Sequence, residues 1–429
     1  MTNLFPAIIG GLLGNVPYIP AIANLARSTL PVFDLTAKKD LFRVKRAKLR
    51  PLTESPANSL AFSSWRLAHA VKKADCTRPI AKGLAHVSAL GFLLENGHLF
   101  EWGGADFRLT EDAISLLDDF SQSSLAGRIA QGIALLWMED HGYPFVNRFS
   151  SFSKSLGISM TTGPKGKGKK IESPDFVVEA HDKRQALVEA KGGFIRRGVR
   201  ANFKLPLAKA LDQLEPWGHQ FKPAITKKYA IGTFLREQDD PHSDTSLVVV
   251  VDPEGFQDSD ARDVPPGLIR RANYAAWLNG MGHFTAASKL ASDGESNPVS
   301  ISFLVSDMLG RELAFVPAEW LSRYQGGAPR GFDSRRLIDH LFFTPSALRR
   351  SGFQQSIVAL DFEVLRNIGR ASSERKIGAL LDLPDNFSDD SSTENQGRSS
   401  GSYFKDGSFV GALDVSDLLE SARVESVVF

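Results

Sequence analysis

The sequence predicts an α/β protein built on a central mixed sheet flanked by helices, and three observations predict it. Between residues 121 and 252, strand-length apolar runs and segments of helical periodicity follow the order helix, three strands, helix, strand, strand. Apolar residues at 42% and charged residues at 23% match ordinary globular usage, so a chain of 429 residues has core enough for several domains and is not fibrous or wholly disordered. A lone Cys76 rules out an intramolecular disulfide and a clustered thiolate zinc centre, and it suits a reducing, cytoplasmic setting.

The elements are justified in chain order. The first 26 residues carry no charge, so they lack the basic n-region of a secretory signal, and Pro6, Pro17 and Pro20 interrupt them; they read as a partly buried segment in preference to a signal or a membrane-associated segment. Ser59 to Leu94 has mainly helical spacing, and a short hairpin around Gly103 and Gly104 follows, with Trp102 a candidate for exposure. Thr110 is then placed to cap a helix whose first turn holds Glu111 and Asp112. Helices followed by such a hairpin resemble a winged helix-turn-helix, and a generic packing module fits the same residues.

An amphipathic helix is expected over Ser123–Glu139, because Leu125, Ile129, Ile133 and Leu136 share one face. Strands are expected at Pro144–Phe152, Phe176–Ala180 and Gln185–Ala190, a helix at Leu205–Glu215, and strands at Tyr229–Arg236 and Leu247–Val251. Beyond Pro253 a long helix over Leu268–Ala291, a hairpin over Val299–Val316 and a helix near Ser334–Phe343 suggest a separate α+β region. Asp385–Ser402 is polar and acidic and reads as a disordered linker, before a short apolar end. The expected organisation is therefore 1–120, 121–252, 253–384, 385–402 and 403–429.

Net charge is only +2, but it is unevenly spread. Lys38–Arg50 carries +6 and Gly163–Lys204 another +6, which leaves −10 for the rest of the chain. Two basic blocks on a nearly neutral protein suit a polyanion-binding face. The loop "GPKGKGKK" supplies Lys165, Lys167, Lys169 and Lys170, and Arg196, Arg197, Arg200 and Lys204 follow the next strands. The loop is not a P-loop, because Lys170 stands where the magnesium-binding hydroxyl belongs and no helix follows. Its lysines are instead candidate contacts to backbone phosphates.

The stretch "ESPDFVVEAHDKRQALVEAKGG" puts ionisable groups at the margins of two strands. Glu189 and Lys191 fall on one face of their strand, and an antiparallel turn brings Asp175 back towards Glu189. Two converging carboxylates call for a cation, and a hard divalent ion suits oxygen ligands. Such an ion with a nearby lysine can activate water and offset charge growing on a phosphorane-like transition state.

Pro174-Asp175, thirteen intervening residues and then Glu189-Ala190-Lys191 resemble the motif of the PD-(D/E)xK nuclease superfamily. The resemblance covers about Ser123–Asp252 and implies a restriction endonuclease-like core. It implies Asp175 and Glu189 as ligands of Mg²⁺, with Mn²⁺ as a substitute, the Ala190 carbonyl as a further candidate ligand and Lys191 as the water-positioning group. It also implies an acid from the first helix, for which Glu139 is the candidate and Asp140 the fallback. Some exonuclease-like branches add a glutamine and, four residues on, a tyrosine; here Gln213 is followed by Trp217.

Other signals fail on context. "GRSSG" at 397–401 lacks the strand a nucleophile elbow needs, and no histidine pair has the spacing of a metal-binding helix. The expected activity is Mg²⁺-dependent endonucleolytic cleavage of DNA, in preference to RNA, in defence against foreign DNA. A protein partner or homo-oligomer is compatible with this reading, and no membrane is expected. The alternatives are an inactive DNA-binding subunit of the same fold and a secreted DNase toxin.

Overall fold

The computed structural model describes residues 27–43, 55–75, 88–104, 106–158, 172–217, 221–222, 225–242, 244–253, 262–265, 267–291, 297–317, 354–373, 393–396, 399–414 and 421–429. Among them no helix is long and apolar enough to cross a membrane. They form two compact units, one within 24–77 and 95–273, the other within 78–94 and 274–429. The uncharged N-terminal segment, the loop carrying Lys165, Lys167, Lys169 and Lys170, and the helix expected near Ser334–Phe343 lie outside the described residues.

The first unit is an α/β layer structure around a mixed seven-stranded sheet. Its strands are β1 (Ser28–Asp34), β2 (Asn58–Phe62), β5 (Phe145–Arg148), β6 (Phe176–Glu179), β7 (Gln185–Phe194), β9 (Ile225–Leu235) and β10 (Leu247–Val251), in the order β2-β1-β10-β9-β7-β6-β5. Pairs β1/β10 and β7/β9 are parallel and the others antiparallel. The inner strand β10 is an apolar, valine-rich run, Leu247–Val251, buried at every position, as a strand covered on both faces requires. Short ladders β3/β4 (Phe100–Glu101 with Arg108–Leu109) and β8/β11 (Phe221–Lys222 with Arg262–Asp263) stand apart from this sheet.

The helices are α1 (Lys39–Arg43), α2 (Ser64–Asp75), α3 (Ser88–Asn96), α4 (Asp119–Asp140), α5 (Phe149–Ser155), α6 (Lys204–Leu214), α7 (Leu268–Gly280), α8 (Phe284–Ala291) and α9 (Phe362–Ser373). Two glycines set how closely α4 packs. A Cβ on Gly132 would meet Val71 Cγ2 of α2 at 2.7 Å, and one on Gly192 of β7 would meet the Ala126 carbonyl oxygen of α4 at 2.1 Å. Helix α2 runs antiparallel to α4, with Arg66 paired to Asp140 at one end and Arg128 to Asp75 at 2.9 Å at the other.

Several expectations are corrected. The boundary near residue 120 does not hold, because β1 and β2 complete the sheet of the expected nuclease core. Asn58–Phe62 is a strand and not the start of a helix, since Leu60 and Phe62 are buried at a spacing of two against β1. The hairpin does not project as a wing: Phe107 donates its N–H to Thr29 O, Leu109 to Arg236 O, and Trp102 is buried with its indole N–H on Gly97 O. Thr110 does not cap a helix; its hydroxyl donates to His98 O, and α4 is capped by Asp118, which accepts from Ser121 N at 2.7 Å.

Residues 149–155 are helical and not part of a strand. Phe149 and Phe152, three apart and both fully buried, meet Trp217 and Phe221 with ring centroids 4.8 and 5.3 Å away. The long helix expected over Leu268–Ala291 is broken into α7 and α8 by Gly282, whose φ of 90° no α-helix allows.

The second unit holds an antiparallel sheet of β15 (Thr393–Gln396), β16 (Ser399–Tyr403), β17 (Ser408–Asp414), β14 (Gln354–Asp361), β13 (Arg311–Pro317), β12 (Ser300–Met308) and β18 (Arg423–Val428), in that order. Leu304, Phe315, Ile357, Tyr403, Phe409 and Leu413 share its core. The β12–β13 turn uses positive φ at Leu309 and Gly310, the type I′ geometry of a two-residue hairpin. Part of the expected disordered linker is therefore sheet: β15 and the start of β16 fall within Asp385–Ser402, and Ser399, Ser400 and Ser402 are buried.

A buried ion pair closes one end of the first unit. Arg270 Nε donates to Glu179 Oε1 at 2.5 Å, and Nη2 donates to the carbonyls of Ala180 and His181. Removing the cation while keeping the acid leaves an uncompensated buried charge, so Arg270→Met is expected to cost about 3–5 kcal/mol in urea unfolding at pH 7. Burial already raises the Glu179 pKa despite Arg270, so the folded state of the variant holds the proton better than the unfolded chain. Its deficit should shrink as pH falls towards 4, and a loss that does not vary with pH would contradict this account.

Candidate active site

The site forms where the sheet splits. Strand β6 pairs with β7 only from Phe176–Val188 to Glu179–Gln185, whereas β7 stays paired with β9 as far as Phe194. From Glu189 onward the β6-facing edge of β7 has no strand partner, and the chain just before β6 takes its place. Asp175 Oδ2 accepts the Ala190 N–H at 3.0 Å and Oδ1 accepts Gln131 Nε2 of α4 at 2.9 Å. The turn between the strands holds Lys183 at a positive φ of 72°.

Glu189 lies in the paired part of β7 with 2% of its surface exposed. Lys191 Nζ donates to Glu189 Oε1 at 2.5 Å and also to Gln213 Oε1 of α6. Glu189 Oε2 is buried and accepts no hydrogen bond. Burial first and the neighbouring Asp175 carboxylate second push the Glu189 carboxyl up to about 8, against the pull of Lys191 and of the Asp175 main-chain N–H. Burial likewise raises Asp175, although the Ala190 amide, Arg148, Lys191 and Gln131 all favour its ionised form. The geometry is thus two acids that resist ionising together, with a lysine 24% exposed beside them.

The helix after β7 holds the motif in place. Gln213 Nε2 donates to Ser173 O at 3.4 Å and the Trp217 indole N–H donates to Glu172 O at 2.9 Å, so both grip the chain that leads into Pro174-Asp175. Trp217, fully buried, does this where the exonuclease-like pattern has a tyrosine, and Gln213 is no solvated surface residue.

Two residues absent from the sequence reading complete the cluster. Gln131 Oε1 accepts from Arg148 Nη2 at 3.1 Å, and Arg148 Nη1 stands 3.9 Å from Asp175 Oδ1. The signal for Gln131 was a polar side chain inside the apolar run Ile129–Met138; Arg148 gave none. Glu139 does not join them. It is eight residues beyond Gln131, about 12 Å along the helix at 1.5 Å per residue, and is buried against Lys73 Nζ at 3.7 Å. Asp140 pairs with Arg66.

Of the candidate phosphate contacts, Arg197 pairs with Asp239 at 2.6 Å and Arg200 with Asp244 at 3.7 Å, so their charges are locally matched. Arg196 is exposed, and Lys204 opens α6. Buried Arg236 fixes this rim by donating to Asp240 at 2.5 Å and to Val199 O at 3.0 Å, while Asp240 also accepts the Gly198 N–H.

Among the described residues no group of three or more His, Cys, Asp or Glu gathers to hold a metal ion, and this site offers two carboxylates, Asp175 and Glu189. The donor set fits one: both are hard oxygen donors, and the buried Oε2 of Glu189 lacks a partner. No family model, curated protein or solved structure matches this chain. The likeness to PD-(D/E)xK nucleases rests on these residues alone.

With its raised pKa, Glu189 gives the folded, metal-free protein more bound protons than the unfolded chain between about 4.5 and 8, so stability falls as pH rises through that window. Glu189→Gln removes this dependence. In chelator, its urea midpoint is expected to gain on wild type steadily from pH 5 to pH 8. A constant offset across that range would mean Glu189 ionises normally.

Proposed function

We propose that this protein is a Mg²⁺-dependent endonuclease with a restriction endonuclease-like core that hydrolyses phosphodiester bonds of DNA, acting in defence against foreign DNA. The observation that carries the proposal is the meeting of Asp175, Glu189, Lys191 and Gln213 at the split between β6 and β7, with one buried carboxylate oxygen left without a hydrogen bond. Four residues drawn from two strand margins and a helix converge there, which a chance match to a short motif does not require.

Asp175 and Glu189 would hold the ion, with the Ala190 carbonyl as a further ligand. Bound Mg²⁺ would supply a Lewis acid and lower the pKa of a water. Lys191 Nζ, fixed between Glu189 Oε1 and Gln213 Oε1, would orient the attacking water, whose proton passes to solvent as the new P–O bond forms and the bond to the leaving oxygen breaks. Gln213 keeps that ammonium from folding wholly onto Glu189. The half-exposed Arg197 and Arg200 and the exposed Arg196 line the rim along which a polyanion would lie, and Mn²⁺ should substitute for Mg²⁺ because both accept the same oxygen donors.

Plasmid and single-strand substrates with and without Mg²⁺ test the reading. Asp175→Asn, Glu189→Gln and Lys191→Ala are each expected to lower the cleavage rate by about 100-fold or more with the fold retained by circular dichroism. Wild-type rates in all three variants would end it.

A further inference from the structure

Arg148 ends β5, and its guanidinium is held from several sides. Nη2 donates to the Ala74 carbonyl at 2.7 Å and to Gln131 Oε1 at 3.1 Å, and the plane lies over the Phe176 ring, 4.7 Å from its centroid. Nη1 is 3.9 Å from Asp175 Oδ1, within ion-pair range and too long for a hydrogen bond. The side chain is 21% exposed, so the group borders solvent beside the acids.

Gln131 is what aims it. Its amide serves both neighbours in one orientation only, the NH₂ donating to Asp175 and the carbonyl accepting from Arg148. A glutamate there would repel Asp175, and an apolar residue would release Arg148 to pair directly with the acid. This residue is neutral where a metal-binding helix would offer a third carboxylate, and it hands the helix position to a cation instead.

Resting on the nuclease reading above, we infer that Arg148 binds the phosphate of the scissile phosphodiester and that Gln131 is its positioning residue. Charge complementarity favours this assignment. Ionised Asp175 and Glu189 are balanced by Lys191 and Arg148, so a divalent ion leaves the cluster at about +2. That matches the charge on the order of −2 that a phosphodiester acquires as water attacks. Without Arg148 the match is lost in the transition state, and the substrate loses one cation contact in the ground state.

The test uses the full chain and a short labelled DNA duplex. Binding in EDTA over a KCl series reads the ground-state contact: Arg148→Gln should lessen the slope of log K against log salt by about 0.9, and Arg148→Lys should leave it unchanged. Cleavage with Mg²⁺ reads the other role: Arg148→Gln should lower kcat/KM about 100-fold. Arg148→Lys, which cannot keep the Ala74 carbonyl and reach the phosphate with one ammonium, should lower kcat about tenfold. Gln131→Leu, which releases Arg148 to pair with Asp175, should lessen the salt slope part of the way towards that of Arg148→Gln and lower kcat about tenfold.

A wild-type slope and wild-type kcat in Arg148→Gln overturn the inference while the nuclease reading stands. If Arg148→Gln does not fold, a wild-type kcat in both Arg148→Lys and Gln131→Leu overturns it in the same way. A wild-type chain that neither cleaves nor binds the duplex overturns the nuclease reading and this inference with it.

Discussion

The site depends on one costly act, the burial of a carboxylate in the middle of a paired strand. Taking Glu189 out of water costs several kcal/mol unless the charge is met, and here it is met in part by a lysine on the same strand and by the main-chain N–H of Asp175. Lys191 can reach because residues two apart share a face. It does not satisfy the acid, since Oε2 has no hydrogen bond and Asp175 adds a second negative charge nearby. Asp175, Glu189 and Lys191 together are short of one positive charge, which Arg148 meets only from 3.9 Å, and that loose match distinguishes them from a settled interior ion pair such as Arg270–Glu179, where the guanidinium and Gln185 satisfy the acid from both sides.

Backbone architecture holds these charges in place. The amide of Ala190 is turned to Asp175 because β6 stops opposite Val188, so a main-chain donor that would have joined a ladder instead fixes the first acid. The two glycines that draw α4 against α2 and β7 set the height of Gln131, which neighbours Gly132 in the chain. Bulk at either glycine would lift the helix and withdraw Gln131 from Asp175. The ion pairs at both ends of α2 and α4 then fix the register between the helices. Precision at the acids thus comes from small residues and helix packing some distance from them.

The strands of the core and the three residues of the motif were legible because short apolar runs and the face-sharing of Glu189 and Lys191 follow from local periodicity. What was not legible has physical causes. The strands β1 and β2 join the sheet through pairings across some two hundred residues, such as Val32 with Val248, which no local pattern encodes. Glu139 was misjudged because an acid at a helix end looks the same in sequence whether it faces a site or a lysine; only the packing of α2 decides it. Ser399–Tyr403 looked like low complexity because the Phe409 ring leaves no room: a Cβ on Gly401 would lie 2.3 Å from Phe409 Cζ, so close packing itself demands glycine and serine there. Arg148 was invisible because its role arises from α2, α4 and β6 meeting around it.

The same energetics bears on whether the fold works as an enzyme or only as a DNA-binding module. A binding module needs cations along a rim, and here exposed Arg196 stands beside Arg197 and Arg200, whose charges Asp239 and Asp244 match. Such a module would gain stability by replacing Glu189 with an apolar residue, since Leu187, two residues away on the same face, is already buried. A module of that kind would also have no use for a second carboxylate raising the first, nor for a glutamine from α6 holding the lysine between them. Keeping a partly satisfied buried acid, a lysine with two acceptors and an arginine aimed by a neutral amide makes physical sense where a divalent ion and a reacting phosphate complete the charge balance.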